Sequence, residues 1–228
     1  MYLTAILLAA GKGQRFKTKT PKPLAKINSS PVIAYSLKAF QENPCIKDII
    51  VVVNADNKKS IVNLIRRRRL KKIRNIVLGG RRRQDSVKNA LRVLDARAEL
   101  VLIHDAARPF IGQDIILRVI RQAEKTGAAI AGIPVKATIK QLKNKTVAKT
   151  LPRKYLWEAQ TPQVFKKALL LEAYRQFGNR QVTDDASLVE KLGAKVKVVM
   201  GSCFNIKITT PEDLAVAEAL LKRRRASV

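Results

Sequence analysis

Acids, aromatics, cysteines and histidines are all scarce in this chain. Against 46 Lys and Arg there are only 17 Asp and Glu, leaving a formal net charge of +29. A chain so short of one sign attracts polyanions. Its densest basic runs are Arg66, Arg67, Arg68 and Arg69 with Lys71, Lys72 and Arg74, then Arg81, Arg82 and Arg83, then Lys222, Arg223, Arg224 and Arg225. Aromatic residues make up 5% of the chain and none is interleaved with those runs. Without aromatic platforms for stacked bases, no specific nucleic-acid partner is expected, and the surface reads as that of an enzyme with polyanionic substrates. Cys45 and Cys203 are too few for a disulfide scaffold and read as reduced thiols in a cytoplasmic protein. The single histidine, His104, reads as a structural residue at a strand end rather than as a base. No apolar run is long enough to span a bilayer, no export signal is recognisable at the start, and no membrane partner is expected. Internal repeats, low-complexity segments and linkers are absent from the sequence.

What is present is the balance of a globular domain, 46% apolar and 28% charged over 228 residues. That length suits one α/β domain, residues 1–228, with a sizeable core. Apolar runs at 2–10, 49–53, 75–78, 100–103 and 128–133 read as buried strands. Helical patterns alternate with them: from Ser30 as N-cap and Pro31 as first helical residue to before Pro44, from Asp56 onward, over 85–94 and over 114–125. Such alternation predicts a three-layer, mostly parallel Rossmann-like sheet with helices on both faces. Residues 135–142 and 147–151 then read as a protruding β-hairpin arm, turning at Lys143, Asn144 and Lys145. The arm, spanning about 135–160, has too little core to stand alone and is expected to pack on a second subunit. Beyond it come a helix over 166–177, a short helix capped by Thr183, Asp184 and Asp185, and strands over 195–200 and 205–208. A last helix opens with Thr210 as N-cap and Pro211 as first helical residue.

The chemistry starts where the first strand ends. Gly11 and Gly13 break the apolar run. Two glycines in three residues let the backbone turn sharply and present uncovered N–H groups to an anion. Arg15 and Lys22 add two cations beside that turn. The pattern lacks the third glycine of the dinucleotide fingerprint and the Gly-Lys-Ser/Thr of a P-loop. The turns after Ala10, Leu78 and Ile103 all fall at the carboxyl edge of the predicted sheet, where ligands of such folds collect.

Several strings recur in order along nearly the whole chain: Ala9-Ala10-Gly11-Lys12-Gly13-Gln14-Arg15, Pro21-Lys22, Gly79-Gly80 with Arg83 and Asp85-Ser86-Val87, His104-Asp105-Ala106-Ala107-Arg108-Pro109, Gln160-Thr161-Pro162-Gln163, Thr183-Asp184-Asp185-Ala186, and Asn205-Ile206-Lys207-Ile208-Thr209. In this arrangement the chain resembles the 2-C-methyl-D-erythritol 4-phosphate cytidylyltransferases, within the sugar and polyol-phosphate nucleotidyltransferases. The resemblance implies transfer of CMP from CTP to the methylerythritol phosphate of the non-mevalonate isoprenoid route, with release of pyrophosphate. It also implies Mg²⁺ carried mainly by the CTP phosphates, and a homodimer formed through the arm. By the same match, Arg15 and Lys22 stabilise the reacting α-phosphate, and Ala9, Ala10, Gly11 and Gly13 hold the triphosphate. Gly80, Ser86 and Ala106 contact the nucleoside. Arg153 and Lys207 hold the polyol phosphate, with Asp105, Arg108, Thr138 and Thr161 helping. Ribitol-phosphate cytidylyltransferases share most of these strings, and Trp157 within Leu156-Trp157-Glu158-Ala159-Gln160 favours the methylerythritol enzyme. A nucleic-acid-binding protein on the same scaffold is the alternative from another class.

Overall fold

The computed structural model describes residues 1–226 apart from Lys12, Gln14, Arg15 and residues 17–19. In chain order it has β1 (Leu3–Leu8), a one-turn 3₁₀ helix (Lys22–Leu24), β2 (Lys26–Ile27), β3 (Ser30–Pro31), α1 (Val32–Glu42), β4 (Ile46–Val53), α2 (Ala55–Arg67), β5 (Ile73–Leu78) and α3 (Arg83–Leu91). These are followed by β6 (Leu100–Asp105), α4 (Gln113–Thr126), β7 (Ala128–Pro134), β8 (Lys140–Lys143), β9 (Thr146–Thr150), a second 3₁₀ turn (Arg153–Tyr155), β10 (Trp157–Lys166), α5 (Lys167–Phe177), α6 (Ala186–Lys191), β11 (Lys197–Met200) and α7 (Glu212–Ala226). Seven strands form one sheet in the order β11-β7-β10-β6-β1-β4-β5.

The apolar runs of β1, β4, β6 and β7 become buried strands while the edge strand β5 is only partly covered, and the two-residue period sorts the side chains into two cores. Leu3, Ala5 and Leu7 of β1 face the core shared with Ile33, Leu37 and Phe40 of α1 and with Ile116, Val119 and Ile120 of α4. Ile6 of β1 and Ile50 and Val52 of β4 face the opposite core, with Val87 and Ala90 of α3, Leu170 and Tyr174 of α5, and Leu188 of α6. A smaller third cluster, Phe16, Ala25, Ile27, Val32, Phe110, Ile208 and Ala217, ties α7 and the β2–β3 ribbon to the domain.

The expected three-layer α/β architecture is observed, with differences that have local causes. The helix after β3 begins at Val32 with Pro31, not Ser30, at the cap position and no side-chain cap, and Ser30 and Pro31 pair with β2. Asn54 caps α2, accepting from the Asn57 N–H at 2.8 Å. The helix expected over 85–94 runs from Arg83 to Leu91 because the Asp85 carboxylate accepts the Arg82 N–H at 3.0 Å. Residues 205–208 form no strand: the Asn205 side chain donates to the Thr161 carbonyl at 2.9 Å, and the Ile208 N–H to Ala107 O at 2.8 Å. Asp213 accepts the N–H groups of Thr209 and Thr210, and the last helix starts at Glu212, past Pro211.

The largest difference is β10, which was not read as a strand. It runs antiparallel between β6 and β7, with a register break between Ala159 and Gln163. Pro162 removes a ladder donor, and the buried stretch of the strand opens with the polar Gln160, Thr161 and Gln163 before Val164 and Phe165. The segment read as an arm over 135–160 therefore divides. Every residue over 140–150 is exposed in the β8–β9 hairpin, while 157–160 belong to the central sheet.

Candidate active site

The parallel strands β1, β4, β5 and β6 end together, and a cavity of about 420 Å³ opens over their carboxyl ends. That is within the range of small-molecule sites. Of the residues proposed from sequence, Ala9, Ala10, Gly11, Lys22, Gly80, Ser86, Asp105 and Lys207 line it. Arg15 lies outside the described residues. Gly13 has φ +62, the left-handed region that glycine adopts without strain, and a Cβ there would touch the Lys22 and Phe16 side chains at 3.5 and 3.6 Å. The turn thus seats Lys22 beside the β1 end.

The wall after β5 is built by close approach. A Cβ on Gly79 would collide with the Ala10 methyl and the Ser86 hydroxyl oxygen. Ser86 Oγ accepts the Gly80 N–H at 3.1 Å and donates to Arg82 O at 3.2 Å, so the hydroxyl fixes the Gly79–Gly80 bend. Arg82 is held by Asp85 at 2.7 Å and by the Asn179 carbonyl at 3.1 Å.

Asp105 closes the end of β6. Its carboxylate meets Lys207 Nζ at 2.6 Å and Arg83 Nε at 3.3 Å, and Arg83 reaches on to Asp185 at 2.7 Å. Asp185 in turn accepts the Tyr174 hydroxyl at 2.5 Å. Burial acts to raise the Asp105 pKa, but the Arg83 guanidinium and then Lys207 outweigh it and hold the carboxyl well below its usual range. Burial opposes the charge on Arg83 as well, and Asp185 and Asp105 more than restore it. The Ile208–Ala107 backbone bond places Lys207 above this carboxylate.

Behind Asp105 lies a buried polar chain. Its N–H donates to Thr161 Oγ1 at 3.1 Å, Thr161 Oγ1 pairs with His104 Nδ1 at 3.0 Å, and His104 Nε2 pairs with the Arg108 carbonyl at 3.0 Å. A carbonyl only accepts, so the proton sits on Nε2 and the threonine hydroxyl donates to Nδ1. Burial lowers the His104 pKa to about 4. Both ring nitrogens are committed, which excludes His104 as a base for substrate. Thr161 and Ala106 are buried behind the cavity, and Ala107 lines it instead. Arg108 donates to Asn205 O at 2.7 Å and Ala159 O at 3.4 Å. Thr138 and Arg153 are exposed on the arm, with Arg153 donating to Lys136 O at 2.9 Å, and neither lines this cavity.

Sequence reading assigned no role to Arg83 and overlooked the fourth turn, Asn54, Ala55 and Asp56, which also lines the cavity. That turn follows the apolar run of β4, so the strand-end rule that located the other three applies to it too. Among the described residues five cations, Lys22, Arg81, Arg82, Arg83 and Lys207, face two acids, Asp56 and Asp105. This electropositive basin suits a triphosphate. Among the described residues no cluster of three or more His, Cys, Asp or Glu could hold a metal unaided. A hard divalent cation arriving on phosphates takes only one or two carboxylates from the protein; Asp56 and Asp105 line the cavity, with both Asp105 oxygens engaged by Arg83 and Lys207.

Residues 3–223 match the family model for 2-C-methyl-D-erythritol 4-phosphate cytidylyltransferase. A protein of that name from Syntrophus aciditrophicus is 44% identical over 99% of this chain and 98% of its own length. One from Alkaliphilus oremlandii is 45% identical, covering 97% and 96%. The crystal structure of 4-diphosphocytidyl-2C-methyl-D-erythritol synthase from Anaerococcus prevotii superposes with a TM-score of 0.87 at 34% identity, over 97% of this chain and 96% of that one.

The buried histidine has a consequence for stability. A base whose folded pKa lies below its unfolded 6.5 contributes stability above that value and loses it as pH falls toward about 4. Denaturant titrations at pH 7 and pH 4.5 should show wild type losing about 2–3 kcal/mol more than His104→Gln between the two conditions. Equal losses would show that His104 is not held neutral by the fold.

Proposed function

The chain belongs to the 2-C-methyl-D-erythritol 4-phosphate cytidylyltransferase family, and from that membership we infer that it transfers CMP from CTP to 2-C-methyl-D-erythritol 4-phosphate. It is a nucleotidyltransferase enzyme of isoprenoid precursor synthesis. The observation that carries the residue assignment is the cavity itself, with the glycine turn and Lys22 on one side and Lys207 on Asp105 on the other.

The reaction is an in-line displacement. A phosphate oxygen of the acceptor bonds to the α-phosphorus of CTP, and the bond from that phosphorus to the bridging oxygen breaks, so pyrophosphate leaves with the electron pair. Positioning and charge stabilisation therefore supply the catalysis. In our reading the Ala10 to Gly13 backbone receives the triphosphate, while Arg15 and Lys22 balance charge growing on the α-phosphate and the departing pyrophosphate. Gly80 and Ser86 flank the nucleoside. Lys207 and Arg153 take the acceptor phosphate. The acceptor phosphate is already ionised near neutral pH and needs no base, in keeping with the commitment of both His104 nitrogens. Mg²⁺ would be held chiefly by the CTP phosphates and would supply charge neutralisation there, with Asp56 and Asp105 the carboxylates lining the cavity.

We assign the β8–β9 hairpin to a homodimer. Leu142, Val147, Tyr155 and Trp157 are exposed along the arm and its base, and Thr138 and Arg153 lie there away from their own cavity; in this reading they serve a partner's. No helix among the described residues is long and apolar enough to cross a membrane. Cys45 and Cys203 are unpaired, which fits the cytoplasm, where CTP is also supplied.

Pyrophosphate release with CTP, Mg²⁺ and a panel of polyol phosphates tests the assignment. Methylerythritol phosphate should be the best acceptor, and Lys22→Met should lower kcat by roughly 10²–10³ with a smaller change in the CTP KM. Preference for ribitol 5-phosphate would move the chain to the neighbouring specificity, and wild-type turnover in the variant would remove Lys22 from the chemistry. Sedimentation velocity on active protein should give the dimer mass; a fully active monomer contradicts the role of the arm.

A further inference from the structure

The turn from α2 into β5 carries more charge than the reaction uses. Arg66, Arg67, Arg68, Arg69, Lys71, Lys72 and Arg74 fall within nine residues that contain no acid. All but Lys72 are exposed, and none of the four consecutive arginines pairs with a described carboxylate. None of the seven lines the cavity. The apolar members of the same stretch, Leu64, Ile65, Leu70 and Ile73, pack inward against the core, so the outer face is cationic throughout. β5 is an edge strand, with no neighbour beyond it in the sheet.

Two further elements extend the surface. The Arg68 guanidinium donates to Ser30 Oγ of β3 at 3.3 Å. On the paired strand of that ribbon, Ile27 joins the cluster that receives Leu220 and Leu221 of α7, and the exposed Lys222 and Arg223 follow directly. Basic runs far apart in sequence thus border one two-stranded ribbon, which itself exposes Lys26.

Helix-dipole compensation explains only part of this. Cations in the last turn of a helix are favoured, and α2 ends at Arg67. Arg69, Lys71, Lys72 and Arg74 lie beyond it. Arg69 has φ +49, a left-handed conformation that glycine or asparagine would adopt at less cost. Burial lowers the pKa of Lys72, and the neighbouring Lys47 lowers it further, a sign of crowded positive charge.

We propose that this face docks the phosphate backbone of a nucleic-acid duplex, without reading its sequence. Guanidinium forks match phosphate oxygens in pairs, and no acid within 66–74 opposes a phosphate backbone. No large exposed apolar residue falls within 60–74. The face therefore lacks the stacking platform of a single-strand binder and the inserting side chains of a membrane-surface anchor.

Fluorescence anisotropy of a labelled duplex of about 20 base pairs, titrated with full-length protein between about 50 and 300 mM salt, tests this. Wild type should bind with a steep salt dependence. The variant Arg66→Gln, Arg67→Gln, Arg68→Gln, Arg69→Gln should bind at least tenfold more weakly, with a slope of log K against log salt shallower by about three. CTP turnover should be unchanged. Neutralising the same number of cations elsewhere, Arg121→Gln, Lys191→Gln, Lys195→Gln, Lys197→Gln, should leave binding close to wild type. Should the quadruple variant lose its fold, Arg67→Gln, Arg69→Gln should still make the slope shallower by about two. The proposal is overturned if the arginine variants bind as wild type does, if wild type shows no duplex binding at about 100 mM salt, or if phosphatidylserine vesicles bind to this face and duplex does not.

Discussion

A carboxylate buried at the end of the central strand is the constraint on which the site turns. Asp105 could not stay ionised there alone, because an isolated buried charge costs several kcal/mol. The fold answers with Arg83 from the start of α3 and Lys207 from the segment after β11, two cations distant in sequence from Asp105 and from each other. Meeting that demand fixes much else. Arg83 needs Asp185 and Tyr174 on its far side, which anchors α5 and α6 to the cavity wall. The Asp105 N–H needs the Thr161 hydroxyl, which places the antiparallel β10 directly against β6. Lys207 is in reach because the chain after β11 returns to hydrogen-bond at Ala107. Balancing one charge thus draws together three segments from the two halves of the chain.

In the proposed reaction the same interaction would lie between the two substrates. Lys207, assigned to the acceptor phosphate, rests on a carboxylate that also faces the nucleotide side of the cavity. In the proposed reaction the triphosphate would meet the Ala10 and Gly11 backbone and the Lys22 charge, all of which line the cavity. Pre-positioned charge of this kind suits a reaction in which the protein makes and breaks no bonds of its own.

Much of the fold could be read from residue order. β1, β4, β6 and β7 are built on short aliphatic runs alternating with helical patterns, which the sheet buries between its two helical layers. β10 could not be read so, because Gln160, Thr161 and Gln163 point inward as connectors: Gln163 bonds Asp184 and the Ala186 N–H, and Gln160 reaches Ser202. Their value lies in distant partners that periodicity does not see. The strand over 205–208 failed for a related reason, since the Asn205 side chain took the carbonyl contact that a ladder would have made. In the site, local motifs located the glycine turn and Asp105, while the role of Arg83 depended on carboxylates from other segments. Helix starts moved by one or two residues, as where Asn54 caps α2 and where Asp85 accepts the Arg82 N–H ahead of α3.

The most direct measurement is a crystal structure of the protein with CTP and Mg²⁺. The account predicts the triphosphate on the Ala10 to Gly13 backbone with Lys22 at its phosphates, the cytidine between Gly80 and Ser86, and Asp105 still held by Arg83. A nucleotide bound elsewhere, or one whose phosphates lie toward Lys207 and away from the glycine turn, would contradict it.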